Sequence, residues 1–281
     1  MTFSIARAAT APHYTHSKPR LAYTRSGDGP PLVFLHGIGG NRHNWRRQTE
    51  ALRTQFTTIA WDARGYGDSD DVPGPRGFSD FADDLARLLD ELDIARAHFV
   101  GLSMGARILM DFQPRYADRV TTLTLCNCFY GFEAALSPDK QREYIELRER
   151  PLREGKSFAE IAPRLIESLV SPQCPANVRA ELRASILALR TESYLKTLRA
   201  SVTFDRAAEL EHMHIPVQLI FSAADQLTPV SIGDTMLGLL PDARLTVLEN
   251  AGHLSNLEQP AAFNTALREF LIAHASVAAF A

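Results

Sequence analysis

Three residue types that together can form a nucleophilic catalyst occur along this chain in the order serine, aspartate, histidine. They are Ser103, Asp225 and His253. A serine hydroxyl is a weak nucleophile at neutral pH, so it needs a base within hydrogen-bond reach and a third group that orients this base. The histidine is the candidate base and the aspartate the candidate acid. The combination predicts acyl transfer through a covalent intermediate.

The residues around Ser103 predict a sharp turn between a strand and a helix. Apolar residues at 97–100 indicate a strand, and apolar residues at helical spacing from Ala106 indicate a helix that ends at Pro114. Such a turn crowds side chains, so Gly101 and Gly105 would let the serine stand exposed at the edge of a sheet. Similar pentapeptides occur in ordinary turns, and the functional interpretation therefore depends on the partners.

The two partners each follow an apolar segment that is typical of a buried strand. Asp225 comes after residues 217–221, and His253 comes after residues 245–248. In open α/β sheets the ligand crevice lies outside the carboxyl ends of the strands, which explains how distant residues could converge there. An aspartate in a polar loop is more often a turn or helix-cap residue, so its assignment depends on the serine.

A fourth segment, residues 36–40, is rich in glycine and follows the apolar run 32–35. Glycines leave the backbone of this segment free of side chains, so its amide N–H groups can point toward a ligand. We hypothesise that the N–H groups of Ile38 and Met104 form an oxyanion hole, the pair of donors that stabilises the tetrahedral intermediate. The segment lacks the Lys-Ser/Thr ending of a phosphate loop and the G-x-G-x-x-G spacing of a dinucleotide site, so nucleotide binding is not expected.

With these residues assembled, the chain resembles the α/β-hydrolase fold superfamily from about residue 12 to 275. The resemblance is carried by residues 36–39, 62–69 and 101–105, by Asp225 and by Gly252-His253. A finer similarity to the 3-oxoadipate enol-lactonase and small-ester hydrolase branch is carried by Asn44-Trp45-Arg46 and by residues 251–260. The resemblance implies hydrolysis of a small carboxylic ester or lactone without a cofactor or metal, with 3-oxoadipate enol-lactone as a candidate substrate.

Differences from related families of this fold reduce the number of possible reactions but leave several open. Dehalogenases of this fold use an aspartate where Ser103 stands. Carbon-carbon bond hydrolases usually have asparagine before the nucleophile and tryptophan after the histidine, where this chain has Leu102 and Leu254. Three alternatives to an esterase or lactonase stay open: a carbon-carbon bond hydrolase of a vinylogous diketone, a cofactor-free perhydrolase, and a non-catalytic small-molecule receptor.

Strand and helix patterns predict an α/β fold, namely a mostly parallel eight-stranded sheet flanked by helices, with an inserted helical cap. We interpret residues 130–210, which show helical stripes and no convincing strand, as this cap. Residues 1–129 and 211–281 would form the two parts of the core. Trp45, Phe129 and Tyr130 are the candidate pocket residues. Arg64 could meet a substrate carboxylate, although tying down its own loop is the simpler role.

Composition excludes several other functions. The 281 residues have a formal charge of −3 from 30 basic and 33 acidic residues. The sequence contains no block of basic residues long enough to bind nucleic acid, so nucleic-acid binding is not expected. No apolar run suits a membrane helix and residues 1–7 lack the apolar core of a signal peptide, so we expect a cytoplasmic protein. Three cysteines without a C-x-x-C pair predict neither disulfides nor a zinc site, and His212 and His214 lack a third metal ligand. A homo-oligomer is compatible with the sequence.

Overall fold

A twisted eight-stranded sheet runs through the centre of the computed structural model, which describes residues 11–74 and 76–275. The strands are β1 (His13–Tyr14), β2 (Ala22–Ser26), β3 (Pro31–Leu35), β4 (Thr57–Trp61), β5 (Ala97–Leu102), β6 (Val120–Cys126), β7 (Val217–Ser222) and β8 (Ala243–Leu248). Their order across the sheet is β1-β2-β4-β3-β5-β6-β7-β8. Strands β3 to β8 pair in parallel, while β1 and β2 are antiparallel to their neighbours. The predicted fold is confirmed.

The inner strands explain why the sequence predicts them well. Strands β4 to β7 are buried along their whole length, since helices cover both faces of a parallel sheet. A strand that is buried on both faces must be apolar at consecutive positions, and this gives continuous runs such as 97–100. Strand β8 is only partly buried, because it is the last strand of the sheet that the described residues form.

Helices fill the connections between strands. Outside the segment between β6 and β7 they are α1 (Arg46–Leu52), α2 (Phe78–Glu91), α3 (Met104–Arg115), α11 (Val230–Leu239), α12 (Ser255–Glu258) and α13 (Pro260–Ala275). Short 3₁₀ turns span Arg42–Trp45 and Ala117–Arg119. Helix α3 passes Pro114 and ends one residue later, so the predicted stop at the proline was one residue early.

Seven helices lie between β6 and β7. They are α4 (Phe132–Ala135), α5 (Pro138–Arg148), α6 (Arg150–Arg153), α7 (Phe158–Glu167), α8 (Ala176–Leu187), α9 (Thr191–Val202) and α10 (Ala207–Leu210). Apolar stripes predicted α7, α8 and α9, whereas α4 to α6 and the four-residue α10 were missed. Helix α5 buries only Tyr144 and Arg148 of its eleven residues, so it has no apolar stripe to detect. That residues 130–210 form a separate cap stays a prediction. We call these residues the cap segment.

Within the described residues, no helix combines the length and apolar character that crossing a lipid bilayer requires. Residues 1–7, on which the expectation about a signal peptide depends, lie outside the described part of the chain.

Candidate active site

Ser103 occupies the one-residue turn between β5 and α3. Its φ of 53° and ψ of −106° are a sparsely populated backbone conformation for a residue with a side chain. The flanking glycines are required by the surroundings: a Cβ atom on Gly105 would lie 2.2 Å from the carbonyl oxygen of Leu35, and one on Gly101 would lie 2.5 Å from the amide nitrogen of Ala106. These close approaches hold the turn in place, and the serine side chain lines a cavity beyond the sheet edge.

Asp225 and His253 form a buried pair at the same edge of the sheet. The imidazole Nδ1 donates a hydrogen bond to Asp225 Oδ2 over 2.7 Å. The carboxylate is itself fixed, because Oδ1 accepts from the backbone N–H groups of Leu227 (2.8 Å) and Thr228 (3.1 Å), and Oδ2 accepts from the Thr228 hydroxyl (2.5 Å). With Nδ1 engaged as a donor, Nε2 is the ring nitrogen available to accept a proton.

Ser103 and His253 line the same cavity and are 6% and 4% exposed. The imidazole Nε2 is buried and has no hydrogen-bond partner among the described residues, so its bond to the serine hydroxyl is not formed here. Without substrate such bonds are often long and tighten only when the substrate binds. The structure therefore brings the three predicted residues to one edge, with the aspartate–histidine contact made and the serine–histidine contact open.

The two predicted oxyanion donors are the N–H groups of Ile38 and Met104. Ile38 lines the cavity, and Met104 is the first residue of α3. Within the described residues, neither backbone N–H donates a hydrogen bond to another backbone carbonyl. Both amides therefore lack a backbone acceptor among the described residues, as the oxyanion-hole hypothesis requires.

His36, which the sequence indicates only as part of a motif, holds the glycine-rich loop after β3. Its Nε2 accepts a hydrogen bond from the Ala63 N–H (3.1 Å), so Nδ1 carries the proton and donates to the Gly37 carbonyl (2.8 Å). Burial lowers the pKa of His36, and this effect exceeds that of the Asp62 charge, which raises it. The ring therefore stays neutral, with one donor and one acceptor nitrogen. The ring thereby ties the loop after β3 to the loop after β4.

Two of the three predicted pocket residues do not line the cavity. Trp45 does, but Phe129 and Tyr130 lie outside the lining. The Phe129 ring packs against the Arg107 guanidinium at 4.5 Å and against Phe132 at 5.7 Å, so it belongs to the core. Arg64 also stays away from the cavity: its guanidinium donates to Asp84 at 2.5 and 2.8 Å, the loop-tying role.

The cavity wall opposite the sheet comes from the cap segment. Its side chains there are Tyr144, Arg148, Leu165, Leu169, Leu182, Ile186 and Tyr194. Tyr144 and Arg148 lie on α5, the polar helix that periodicity could not reveal. A signal was present in the sequence, since an aromatic and an arginine four positions apart share one helix face, but nothing in the pattern shows that this face is buried.

A buried carboxylate fastens the histidine loop to the cap segment. Glu258 accepts hydrogen bonds from the Gly252 N–H at 3.0 Å and from the Ser171 N–H at 2.9 Å. His253, the residue after Gly252, donates its own N–H to the carbonyl of Leu169 over 2.7 Å. A Cβ on Gly252 would lie 2.6 Å from the Ser171 nitrogen, so only glycine permits this approach.

Replacing Glu258 with glutamine should destabilise the protein by about 1–3 kcal/mol, because an NH₂ group would then face an N–H donor and leave it unpaired in a buried place. Urea unfolding followed by circular dichroism measures this change. Glu249→Gln, a matched substitution at an exposed residue, should leave the free energy of unfolding within about 0.5 kcal/mol of the parent protein. Equal stability of the two variants would show that the carboxylate does not fasten the loop.

The parallel sheet, the turn at Ser103 and the aspartate–histidine pair beneath a helical segment define a hydrolase of the α/β type, and the chain belongs to the alpha/beta hydrolase family, whose model matches residues 32–266. Among curated relatives, 3-oxoadipate enol-lactonase 2 of Acinetobacter baylyi is 28% identical over 241 residues, 85% of this chain and 88% of that protein. A Pseudomonas syringae protein with the provisional name carbamate hydrolase RutD is 29% identical over 256 residues, 87% of this chain and 94% of that protein.

Solved structures give the same picture. An esterase from Thermogutta terrifontis, described with malate bound, superposes with a TM-score of 0.84 at 29% identity, covering 94% of this chain and 99% of that one. The enol-lactonase of Burkholderia xenovorans LB400 superposes with a TM-score of 0.81 at 25% identity, covering 92% and 100%. The predicted resemblance is confirmed at the level of the family and of its enol-lactonase and esterase relatives.

Proposed function

We propose that this protein is a serine hydrolase that cleaves a small carboxylic ester or lactone through an acyl-enzyme. The observation that supports this most is the buried His253, whose Nδ1 is engaged by Asp225 while its Nε2 is unpaired in a cavity that it shares with Ser103. A histidine held in this tautomer can take a proton from the serine hydroxyl and later return it to the leaving group.

The proposed reaction has two halves. Ser103 Oγ attacks the carbonyl carbon while His253 Nε2 takes its proton, and the N–H groups of Ile38 and Met104 stabilise the oxyanion. The imidazolium, stabilised by Asp225, then protonates the leaving alkoxide as the carbon–oxygen bond breaks. In the second half the histidine deprotonates a water molecule that attacks the acyl-enzyme, and the carboxylic acid and the free serine are regenerated.

The choice of ester or lactone is supported by relatives and by the cavity wall. An esterase and enol-lactonases are among the proteins to which the chain is similar, and 3-oxoadipate enol-lactone is accordingly a candidate substrate. Four aliphatic side chains of the cap segment line the wall, namely Leu165, Leu169, Leu182 and Ile186. An apolar wall favours binding of an acyl group, and its low dielectric strengthens the charge interactions of the intermediate.

The test combines active-site labelling with a turnover screen. A fluorophosphonate probe should label Ser103, as peptide mass spectrometry would show, and the purified protein should hydrolyse p-nitrophenyl esters of short chain length or an enol-lactone at steady state. Turnover of a vinylogous diketone alone would support a carbon-carbon hydrolase. Formation of a peracid that depends on peroxide, without turnover of an ester, would support a perhydrolase. No labelling together with tight ligand binding would support a receptor. Each of these three results would overturn the proposal.

A further inference from the structure

Arg148, the last residue of α5, lines the cavity that contains Ser103. The residue is 3% exposed. Among the described residues its guanidinium makes one long hydrogen bond, from Nη1 to the Tyr144 carbonyl at 3.4 Å, and no carboxylate lies within 4.0 Å of it. A buried cation without an anionic partner is costly, so such residues are commonly paired or meet a charged ligand.

The acidic side chains near this residue are committed elsewhere. Glu143, on the same helix, forms an ion pair with Lys140 at 2.8 Å. Glu149, the next residue along the chain, pairs with Arg153 and lies 3.6 Å from Arg199. Asp225 is engaged by His253 and by its own loop. Within the part of the chain that the structure describes, no carboxylate therefore neutralises Arg148.

A second buried arginine, Arg107, does not line this cavity. Arg107 lies one turn after Ser103 on α3 and is 1% exposed. Its guanidinium packs over the rings of Phe78 and Phe129 at 5.1 and 4.5 Å, and its Nε and Nη1 atoms have no hydrogen-bond partner among the described residues. The aromatic faces stabilise the Arg107 charge away from the cavity, so in the described lining Arg148 is the arginine available to an anionic ligand.

A further donor is available on the cavity wall. Tyr194 lines the cavity, is 1% exposed, and its hydroxyl has no hydrogen-bond partner within the described residues. The Arg148 guanidinium is held over the ring of Tyr144 at 4.3 Å, which limits its movement. A planar fork of N–H donors together with a phenolic O–H matches the geometry of a carboxylate.

We propose that Arg148, assisted by the Tyr194 hydroxyl, binds a carboxylate group of the substrate, so that the preferred ester or lactone carries a second, ionised carboxyl group. The inference rests on the proposed function, because the guanidinium and the nucleophile share one cavity. A neutral substrate would leave the cation unpaired, and the enzyme should therefore discriminate against it.

The test compares an anionic ester with its neutral amide. In the first pair, monoethyl glutarate carries the charge on the acyl side of the ester, and the ethyl ester of glutaric acid monoamide is its neutral counterpart. In the second pair, acetoxyacetate carries the charge on the alcohol side, and acetoxyacetamide is neutral. For one pair we expect a kcat/KM ratio of about 100 in favour of the anion, expressed mainly in KM. Arg148→Gln should lower this ratio to about 1, and Arg148→Lys should retain part of it, because the charge remains without the fork.

Arg142→Gln is the matched control, since Arg142 lies on the same helix with a side chain 68% exposed, and its ratio should equal that of the parent protein. A ratio below about 3 for both pairs, unchanged by Arg148→Gln, would overturn the inference while ester hydrolysis itself still stood. Thermal unfolding of each variant excludes a folding defect, and Arg148→Lys keeps the test decisive if the glutamine variant does not fold.

Binding of glutarate gives a readout that does not depend on turnover. Calorimetry on Ser103→Ala should detect glutarate binding that weakens at least about 30-fold when Arg148→Gln is added. This result, combined with no turnover of any ester, would contradict the proposed function and still support the carboxylate site. Glutarate binding of equal strength with and without the arginine would contradict the carboxylate site alone.

Discussion

Replacing Ser103 with alanine should lower the turnover of the ester or lactone by about 10⁶-fold, because the variant has no nucleophile and cannot form an acyl-enzyme. The residual rate would come from the oxyanion donors and from substrate binding. The fold should persist, since the glycines at 101 and 105 set the turn and alanine adds no atom. Initial rates at saturating substrate, with circular dichroism and thermal unfolding of the same sample, measure both expectations.

Ser79→Ala provides the control, because this serine is exposed on α2 and the substitution removes the same hydroxyl far from the cavity. Its turnover should equal that of the parent protein, and it should still react with the fluorophosphonate probe. If Ser103→Ala retained turnover within about tenfold of the parent, the hydroxyl would not be the attacking group, and the acyl-enzyme mechanism would have to be abandoned.

The turn at Ser103 was predictable because its constraints are local. A strand that is buried on both faces, two glycines and a helix with apolar residues at helical spacing occupy consecutive positions, so each leaves a signal in the sequence. The contact between Asp225 and His253 spans 28 positions. It was predictable only because both residues follow strands of one parallel sheet, and the carboxyl ends of such strands share an edge.

The cavity wall was not predictable in the same way. Phe129 and Tyr130 have the features of pocket residues, because they are aromatic and follow a strand. The contacts of Phe129 with Arg107 and Phe132 nevertheless place it in the core. Tyr144 and Arg148 lie on a charged helix whose sequence resembles an exposed surface. The difference is decided by how the cap segment packs on the sheet, and that packing involves contacts between residues far apart in the chain.

Glu258 illustrates the same limit for the supports of the site. Its position before Gln259-Pro260 suggests the last residue of a turn, and nothing local indicates that its carboxylate accepts from Gly252 and Ser171. Such bonds satisfy backbone groups that the fold buries, so they can be identified only after the chain path is known.

Replacing Asp225 with asparagine should lower kcat by about 10⁴-fold while leaving the fold in place. The asparagine oxygen can still accept from the N–H groups of Leu227 and Thr228, the bonds that Asp225 Oδ1 now receives. Its NH₂ group would then face His253 Nδ1 and donate to it. The imidazole proton would move to Nε2, and the ring would lose the atom that must accept the proton of the serine hydroxyl. Initial rates across pH 6 to 10 measure the loss.

Nitrogen-15 NMR of the histidine side chain separates this mechanism from a structural defect, because the proton should appear on Nε2 in Asp225→Asn and on Nδ1 in the parent protein. Asp234→Asn, at an exposed residue of α11, makes the same chemical change and should alter neither the tautomer nor the rate. A fall in kcat of less than about tenfold in Asp225→Asn, with the tautomer unchanged, would mean that the carboxylate only braces its loop. The proton acceptor for Ser103 would then have to be oriented by another group, and the Thr228 hydroxyl, 3.3 Å from His253 Nδ1, would be the next to test.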